Sequence, residues 1–169
     1  MDTRKNEKIA AIIISVIIIV LSFFNIDDWK HVGIYSGCDL SSRLVYPFFH
    51  VNTLHAFFNA WCLLSVMFMY DVSILRLVTA YIIAVTIPTD IHWFSTFFVH
   101  PTVGLSGILY ILFGSISFDV VRRAYYHTWM AVYISIGFCF PNTNGMIHLY
   151  CYLCGFIIAL LNKPFIIRK

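Results

Sequence analysis

Long apolar stretches alternate with short polar or charged segments along the whole chain. A perpendicular membrane span needs ~20 mostly apolar residues, and several of these stretches approach that length. The pattern predicts a single transmembrane domain over residues 1–169, with a polar loop over residues 25–47. The six predicted transmembrane helices lie at about residues 9–24, 48–70, 74–94, 106–118, 127–140 and 146–161.

The composition strengthens this interpretation. Hydrophobic residues make up 60% of the chain, charged residues make up 11%, and the mean hydropathy is +0.84. A soluble domain is usually ~45–50% apolar and ~25% charged, so this chain cannot hide its apolar surface in its own core. We therefore expect an all-α integral membrane protein. The net charge of +3 is spread over short basic clusters and does not indicate a nucleic-acid-binding surface.

The positions of the Lys and Arg residues predict the orientation in the membrane. With six helices, all of them except Lys30 and Arg43 fall in the N-terminal segment, the second and fourth loops and the C-terminal tail. Cytoplasmic segments carry an excess of Lys and Arg, so both termini are predicted to face the cytoplasm. The compact chain, with no organelle-targeting feature, favours a bacterial inner membrane.

The segment Gly104-Leu105-Ser106-Gly107 places a hydroxyl between two glycines at the start of the fourth predicted helix. The apolar part of this helix ends before Asp119 and measures roughly 20 Å at 1.5 Å per residue, less than the ~30 Å hydrocarbon core. Ser106 is therefore expected below the outer surface, beside a loop that meets water inside the protein. Two interpretations stay open: a nucleophile that needs a base, or a small-residue contact between membrane helices.

Few ionisable or amide side chains lie within the predicted helices, and such residues are candidates for function. His55 and Asn59 are four residues apart and share a helix face, whereas His50, on the same helix, is turned roughly 140° away from His55. This spacing argues against a metal-binding pair, and Cys151-x-x-Cys154 lacks a second pair. His55 and Asn59 are either interhelical hydrogen-bonding groups or two donors aimed at one point.

Small residues predict how the fourth and sixth helices pack. The fourth helix carries Gly107 and a second glycine seven residues later, and the sixth carries Cys151 and Gly155 at three and seven residues after His148. Such stripes let two helices approach closely. Both helices follow loops on the outer side, so a contact between them would bring His148 beside Ser106.

Three sets of these residues occur in a fixed order along the chain. They are His50-x4-His55-x3-Asn59, then Gly104-Leu105-Ser106-Gly107, then His148 with Gly155. Together they resemble the rhomboid family of intramembrane serine proteases over about residues 48–161. Tyr110, one turn after the serine, fits the aromatic residue that packs on the family's histidine. Two departures are Cys151, where the family often has Gly, and Ser42-Arg43, where it has a Trp-Arg pair.

The resemblance implies a six-helix rhomboid-like bundle and a serine endopeptidase with a Ser-His dyad. Ser106 would attack the scissile carbonyl and form an acyl-enzyme, while His148 would accept the proton and return it to the leaving amine. Tyr110 would hold the imidazole ring. The implied oxyanion-binding groups are His55, Asn59 and the backbone N–H groups of Ser106 and Leu105. The implied supporting residues are Gly104, Gly107, Gly155 and His50.

The implied substrate is a transmembrane segment of another protein, called the client below, which must unwind locally before it is cleaved. No metal, nucleotide cofactor or nucleic acid is expected, and the oligomeric state, including a homo-oligomer, is left open. Two alternatives are weighed against the protease. One is a catalytically silent rhomboid-like protein that binds client helices, usually marked by loss of the serine or histidine. The other is a small transporter or channel lined by the intramembrane His and Asn.

Overall fold

The computed structural model describes residues 3–140 and 143–162, and within these residues the regular secondary structure is helical. Two 3-10 turns, Trp29–His31 and Tyr46–Phe48, accompany the helices. The α-helices are α1 Thr3–Leu21, α2 Leu40–Val45, α3 Thr53–Met69, α4 Ile74–Val85, α5 His92–Ser95, α6 Ser106–Ser115, α7 Arg123–Cys139 and α8 Gly145–Asn162. Two parts of the prediction lie outside the described residues. They are the first two residues of the predicted turn at 141–145 and the basic tail with Lys163, Arg168 and Lys169.

Helix α6 is the centre of the bundle. It packs against α8, α4 and α3, while α1 packs on α3 and α7 packs on α8. Seven of the ten α6 residues are buried, and they include its aliphatic side chains and its two glycines. A helix that is apolar on all sides is typically buried, so the sequence of α6 explains its central place.

The outer helices expose apolar side chains instead of polar ones. Ile13 and Val16 of α1, Trp61 of α3 and Leu75 of α4 each expose more than half of their surface. By length and composition, α8 is able to cross a membrane, and Leu40–Phe48 with Thr53–Met69, bent by 80°, is a second candidate span. Helices α4 and α6 are apolar but shorter. An apolar exterior of this kind suits a lipid environment rather than water.

Glycines determine the closest helix contact in the bundle. A Cβ built on Gly114 of α6 would overlap the carbonyl oxygen of Tyr152, and one built on Gly155 of α8 would overlap the carbonyl oxygen of Ile111. The two backbones therefore touch where these residues lie, which only glycine permits. The predicted close packing of the fourth and sixth helices is present in the structure.

Several predicted helix boundaries were wrong. The second helix begins at Thr53 rather than residue 48, because Asn52 has an extended backbone and its side chain accepts a hydrogen bond from the His55 N–H. The third helix ends at Val85 rather than residue 94, since Pro88 lacks an N–H and disfavours helical backbone at the residue before it. The fourth ends at Ser115 rather than 118, so it measures only about 15 Å.

The observed bounds of α1, α7 and α8 also differ from the predicted ones. Helix α1 begins at Thr3 rather than residue 9 and ends at Leu21 rather than 24, because charged residues are good helix formers and do not stop a helix. For the same reason α7 begins at Arg123 rather than residue 127, and it ends at Cys139. Helix α8 differs from its predicted range by one residue at each end.

The segment predicted as a plain loop at residues 25–47 contains α2 and both 3-10 turns. Asp39 caps α2, and hydrogen bonds from the Ser42 backbone N–H and from the Ser42 and Ser41 hydroxyls lower the pKa of its carboxyl. Arg43 donates hydrogen bonds to the Ile87 carbonyl oxygen at 2.7 Å and to Asp90 at 2.9 Å. The first loop is therefore fastened to the loop after α4 by a guanidinium group.

Candidate active site

Ser106 is the first residue of α6, and the loop before it has an unusual backbone. Gly104 has φ +128°, a backbone conformation that residues with a Cβ rarely adopt. Its N–H donates a hydrogen bond to the carbonyl oxygen of Tyr46 at 3.0 Å. The glycine therefore allows the chain to turn into α6 with the Ser106 hydroxyl near the helix start, where the first backbone N–H groups have no partner within the helix.

His148 lies in the first turns of α8, directly opposite Ser106. Its Nε2 atom is 3.0 Å from the Ser106 Oγ atom, within hydrogen-bond distance. If the hydroxyl donates to Nε2, the imidazole proton must be on Nδ1. Nδ1 is buried and has no hydrogen-bond partner among residues 3–140 and 143–162, so no carboxylate of these residues orients the ring from its far side.

Tyr110 covers one face of the His148 ring. The two ring centroids are 4.3 Å apart and the planes differ by 18°, which is a stacked arrangement. Tyr110 is four residues after Ser106, and side chains at that spacing lie on the same helix face. One turn of α6 therefore presents both the hydroxyl that contacts Nε2 and the ring that supports the imidazole.

His55 and Asn59 of α3 converge on the loop before Ser106. A Cβ built on Gly104 would lie 3.0 Å from His55 Cε1, 3.3 Å from His55 Nε2 and 3.7 Å from Asn59 Nδ2. The Asn59 Nδ2 atom is buried and has no hydrogen-bond partner. A buried amide donor without a partner is costly unless a ligand or water completes its bonding. The two side chains thus face one small space beside Ser106.

His50 is placed differently from the sequence-based expectation. It precedes α3 instead of lying on it, and its ring is 5.0 Å from the His55 ring rather than turned away. The Leu105 backbone N–H donates a hydrogen bond to His50 Nε2 at 3.2 Å. The Leu105 N–H is therefore bonded to His50 in this structure, and its expected role in binding an oxyanion stays a prediction.

Gly107 and Gly155 occupy the helix contacts expected of small residues. A Cβ on Gly107 would lie 3.1 Å from the Tyr46 hydroxyl oxygen and 3.6 Å from the Cys151 Sγ atom. Gly155 lies against the backbone of α6 at Ile111. Cys151, the departure from the family pattern, is fully buried in this contact and is accommodated without separating the helices.

Asn144 is a site-forming residue that the sequence analysis missed. Its Nδ2 donates to the Phe97 carbonyl oxygen at 2.8 Å, and its Oδ1 accepts from the Ile147 N–H at 3.2 Å. The side chain therefore joins the start of α8 to the loop that leads to Ser106. The available signal was the position of an Asn just before a predicted helix, which is typical of a helix cap.

Within residues 3–140 and 143–162, no group of three His, Cys, Asp or Glu side chains is arranged to hold a metal ion. What the site presents is a hydroxyl hydrogen-bonded to an imidazole and, beside them, the Asn59 amide, whose Nδ2 has no partner among the described residues. This set is suited to nucleophilic attack on a carbonyl followed by stabilisation of the resulting oxyanion.

The rhomboid domain family model matches residues 37–169, most of the chain. The chain therefore belongs to the rhomboid family and is an integral membrane protein. Members of this family are typically intramembrane serine proteases, although inactive members exist. Searches of curated proteins and of solved structures gave no significant match.

Proposed function

We propose that this rhomboid-family protein is an intramembrane serine endopeptidase that cleaves the transmembrane segments of client proteins. The single observation that supports this most directly is the 3.0 Å contact between Ser106 Oγ and His148 Nε2. A silent member of the family would not need to keep a nucleophile and a base in hydrogen-bond contact. The further groups around them match the separate requirements of acyl transfer.

In the proposed reaction, Ser106 Oγ attacks the scissile carbonyl carbon while its proton passes to His148 Nε2. The C–N bond then breaks, the leaving amine takes that proton, and an acyl-enzyme remains on Ser106. A water molecule then attacks the ester while His148 accepts its proton. The bond between the acyl carbon and Ser106 Oγ breaks, His148 returns the proton to Oγ, and the carboxylic product is released from the free serine. In a catalytic triad a carboxylate orients the histidine ring. Here the ring stacks on Tyr110, which would support it instead.

The negative oxygen formed in each tetrahedral intermediate would be bound by His55, Asn59 Nδ2 and the Ser106 N–H. The convergence of His55 and Asn59 on Gly104 and the lack of a partner for Asn59 Nδ2 among the described residues support this assignment. Donors fixed before the reaction stabilise developing charge without reorganisation, and each is typically worth ~10²–10³ in rate.

The client would be cleaved where its helix is weak. A peptide bond inside a helix is sequestered by the helix's own hydrogen bonds, so the client must unwind before it reaches Ser106. Gly and Pro disfavour helix by about 1 and 3 kcal/mol relative to Ala. We therefore expect cleavage near Gly, Pro or small residues in the client.

The proposal includes six spans, cytoplasmic termini and a bacterial inner membrane. Contacts among charged residues support a shared cytoplasmic end. Glu7 accepts a hydrogen bond from the Ile74 N–H at 3.1 Å, and Arg76 pairs with Asp119 at 3.3 Å. The N-terminal segment, the α3–α4 turn and the α6–α7 turn therefore lie together. Ser106 is at the opposite end of α6 from Asp119, which supports a site that faces the outer side.

The decisive test uses detergent-solubilised protein and a fluorophosphonate probe that labels activated serines. We expect the wild type to be labelled, Ser106→Ala to lose labelling completely and His148→Ala to lose most of it. Ser95→Ala, which alters an exposed hydroxyl bonded to the His92 carbonyl, is the matched control and should label normally. Labelling that survives Ser106→Ala would overturn the proposal. Unlabelled wild type that binds a client helix would support the silent client-binding alternative.

A second test addresses the oxyanion site. Asn59→Ala removes the Nδ2 donor, which has no hydrogen-bond partner among the described residues. The rate of cleavage of a transmembrane client should therefore fall by a factor of about 10²–10³. The melting temperature should stay close to that of the wild type, because the Nδ2 donor that is removed has no hydrogen-bond partner among the described residues. An unchanged cleavage rate would remove Asn59 from the oxyanion role.

A further inference from the structure

The far edge of the His148 ring lies against α7, a helix that the proposed mechanism does not use. A Cβ built on Gly137 would be 3.1 Å from His148 Nδ1 and 3.3 Å from the Gly145 Cα atom. Such distances are shorter than ordinary van der Waals contacts, so the His148 side chain or one of the two helices would have to shift to accept a Cβ at position 137. Gly137 is one of the few buried residues of α7.

A second glycine strengthens this contact from the other helix. A Cβ built on Gly145 of α8 would lie 2.7 Å from the Phe138 ring and 2.8 Å from its backbone nitrogen. Helices α7 and α8 thus approach closely at two glycines that lie near each other, Gly137 of α7 and Gly145 of α8. Gly145 is three residues before His148. The close approach occurs where the base lies and not only at the ends of the helices.

The His148 ring is therefore contacted from three directions. Ser106 Oγ is at Nε2, the Tyr110 ring covers one face, and Gly137 faces the Nδ1 edge so closely that an added Cβ would lie 3.1 Å from Nδ1. Nδ1 is buried yet has no hydrogen-bond partner. Of the described groups around Nδ1, none holds this edge by a hydrogen bond or charge, so its position depends on contact.

We propose that Gly137 is a positioning residue for His148, whose backbone supports the Nδ1 edge of the ring and keeps Nε2 within reach of Ser106. This inference rests on the proposed protease function. Any side chain at position 137 pushes the ring away from α7 by a few tenths of an ångström or more. The bond between Nε2 and Oγ, which depends on the ring position, is then lengthened or misdirected.

The test compares Gly137→Ala and Gly137→Val with Phe138→Leu, which alters the neighbouring contact with Gly145 but adds no atom near His148. We expect the fluorophosphonate labelling rate to fall about tenfold for Ala and about 10²-fold for Val, because small displacements of catalytic groups have effects of this size. Phe138→Leu should label at nearly the wild-type rate. The melting temperature of Gly137→Ala should stay near that of the wild type.

A readout that a purely structural role would not move is the ¹⁵N resonance of His148 Nε2, measured on histidine-labelled protein. It should shift in Gly137→Ala, since the hydrogen bond to Ser106 changes, and stay unchanged in Phe138→Leu. In the wild type, a nuclear Overhauser contact between the Gly137 Hα protons and the imidazole tests the packing without any substitution. Absence of that contact would overturn the inference even if the variants do not fold.

The outcomes separate this inference from the proposed function. Wild-type labelling together with normal labelling and an unshifted resonance in Gly137→Ala would exclude the positioning role and leave the protease intact. An unlabelled wild type would exclude the protease, and the role of Gly137 in catalysis with it, while the Overhauser contact would still report whether the two residues touch.

Discussion

Helix α8 contacts two neighbours in different ways. Against α6 it packs backbone on backbone, because Gly114 and Gly155 leave no side chain between the helices. Against α7 the glycine contact is confined to the end near His148, and at the other end the helices meet through side chains, with His127 Nδ1 and the Tyr152 hydroxyl 2.6 Å apart. Seven of the ten α6 residues are buried, whereas only Met130, Ile134 and Gly137 are buried among the seventeen of α7.

This difference indicates which parts of the site are rigid. The α6–α8 contact holds the helices that carry Ser106 and His148, so the two side chains meet in the absence of a client. Helix α7 has fewer buried residues and should be displaced at a lower free-energy cost. A displacement of α7 would leave the helices of the dyad in place but remove the support at the edge of His148.

The largest expected effect comes from filling the α6–α8 contact. Gly155→Ala places a methyl group on the carbonyl oxygen of Ile111, and relief requires a backbone shift. Overpacking of this kind typically costs about 1–3 kcal/mol and occasionally more. We expect a lower melting temperature and loss of fluorophosphonate labelling. Leu153→Ala, at an exposed position of the same helix, is the control and should change neither quantity much. A fully stable Gly155→Ala would contradict the backbone contact.

A smaller effect is expected where the start of α6 is held. His50→Phe keeps a ring of similar size but removes the acceptor of the Leu105 N–H. A buried donor left without a partner costs about 1–3 kcal/mol. We expect reduced stability in thermal unfolding and slower labelling, since Leu105 adjoins Ser106. His50→Gln retains an acceptor and should recover part of both; equal loss in the two variants would show that the hydrogen bond is not the reason.

The smallest effect is expected at the far end of the α7–α8 contact. His127→Phe removes the hydrogen bond to Tyr152 but keeps a ring beside Phe156. The loss of one such bond typically amounts to about 1 kcal/mol. The melting temperature should fall slightly and labelling should stay near the wild-type rate. Tyr152→Phe removes the same bond and is the matched comparison. A labelling defect as large as that of Gly137→Ala would show that the two ends of α7 act together.

The sequence was most informative where a local pattern corresponds directly to a contact. Gly155 and the paired glycines of α6 predicted a close helix approach, and that approach brings His148 beside Ser106. The resemblance to the rhomboid family implied that Tyr110, one turn after Ser106, packs on the imidazole, and the two rings are stacked in the structure. These predictions succeeded because helical periodicity relates sequence spacing to direction in space.

The sequence was least informative about irregular segments. His50 was assigned to a helix face, and that assignment failed because Asn52 caps α3 after it. Leu105 was expected to offer a free N–H, but its partner His50 is fifty-five residues away. Gly137 gave no signal of its own, since a single glycine in an apolar helix is compatible with many surroundings.

By itself, the sequence determined that the protein is helical and membrane-embedded, and which residues are candidates for the proposed chemistry. Long apolar segments satisfy their own backbone groups in lipid when they are helical, and the ionisable and amide side chains within those segments are few enough to be recognised as candidates. Only the tertiary structure decided that the Asn59 amide lacks a partner among the described residues, where His50 lies and that Gly137 faces the Nδ1 edge of His148. Those properties depend on contacts between segments far apart in the chain, and no local pattern encodes the distance between two atoms on different helices.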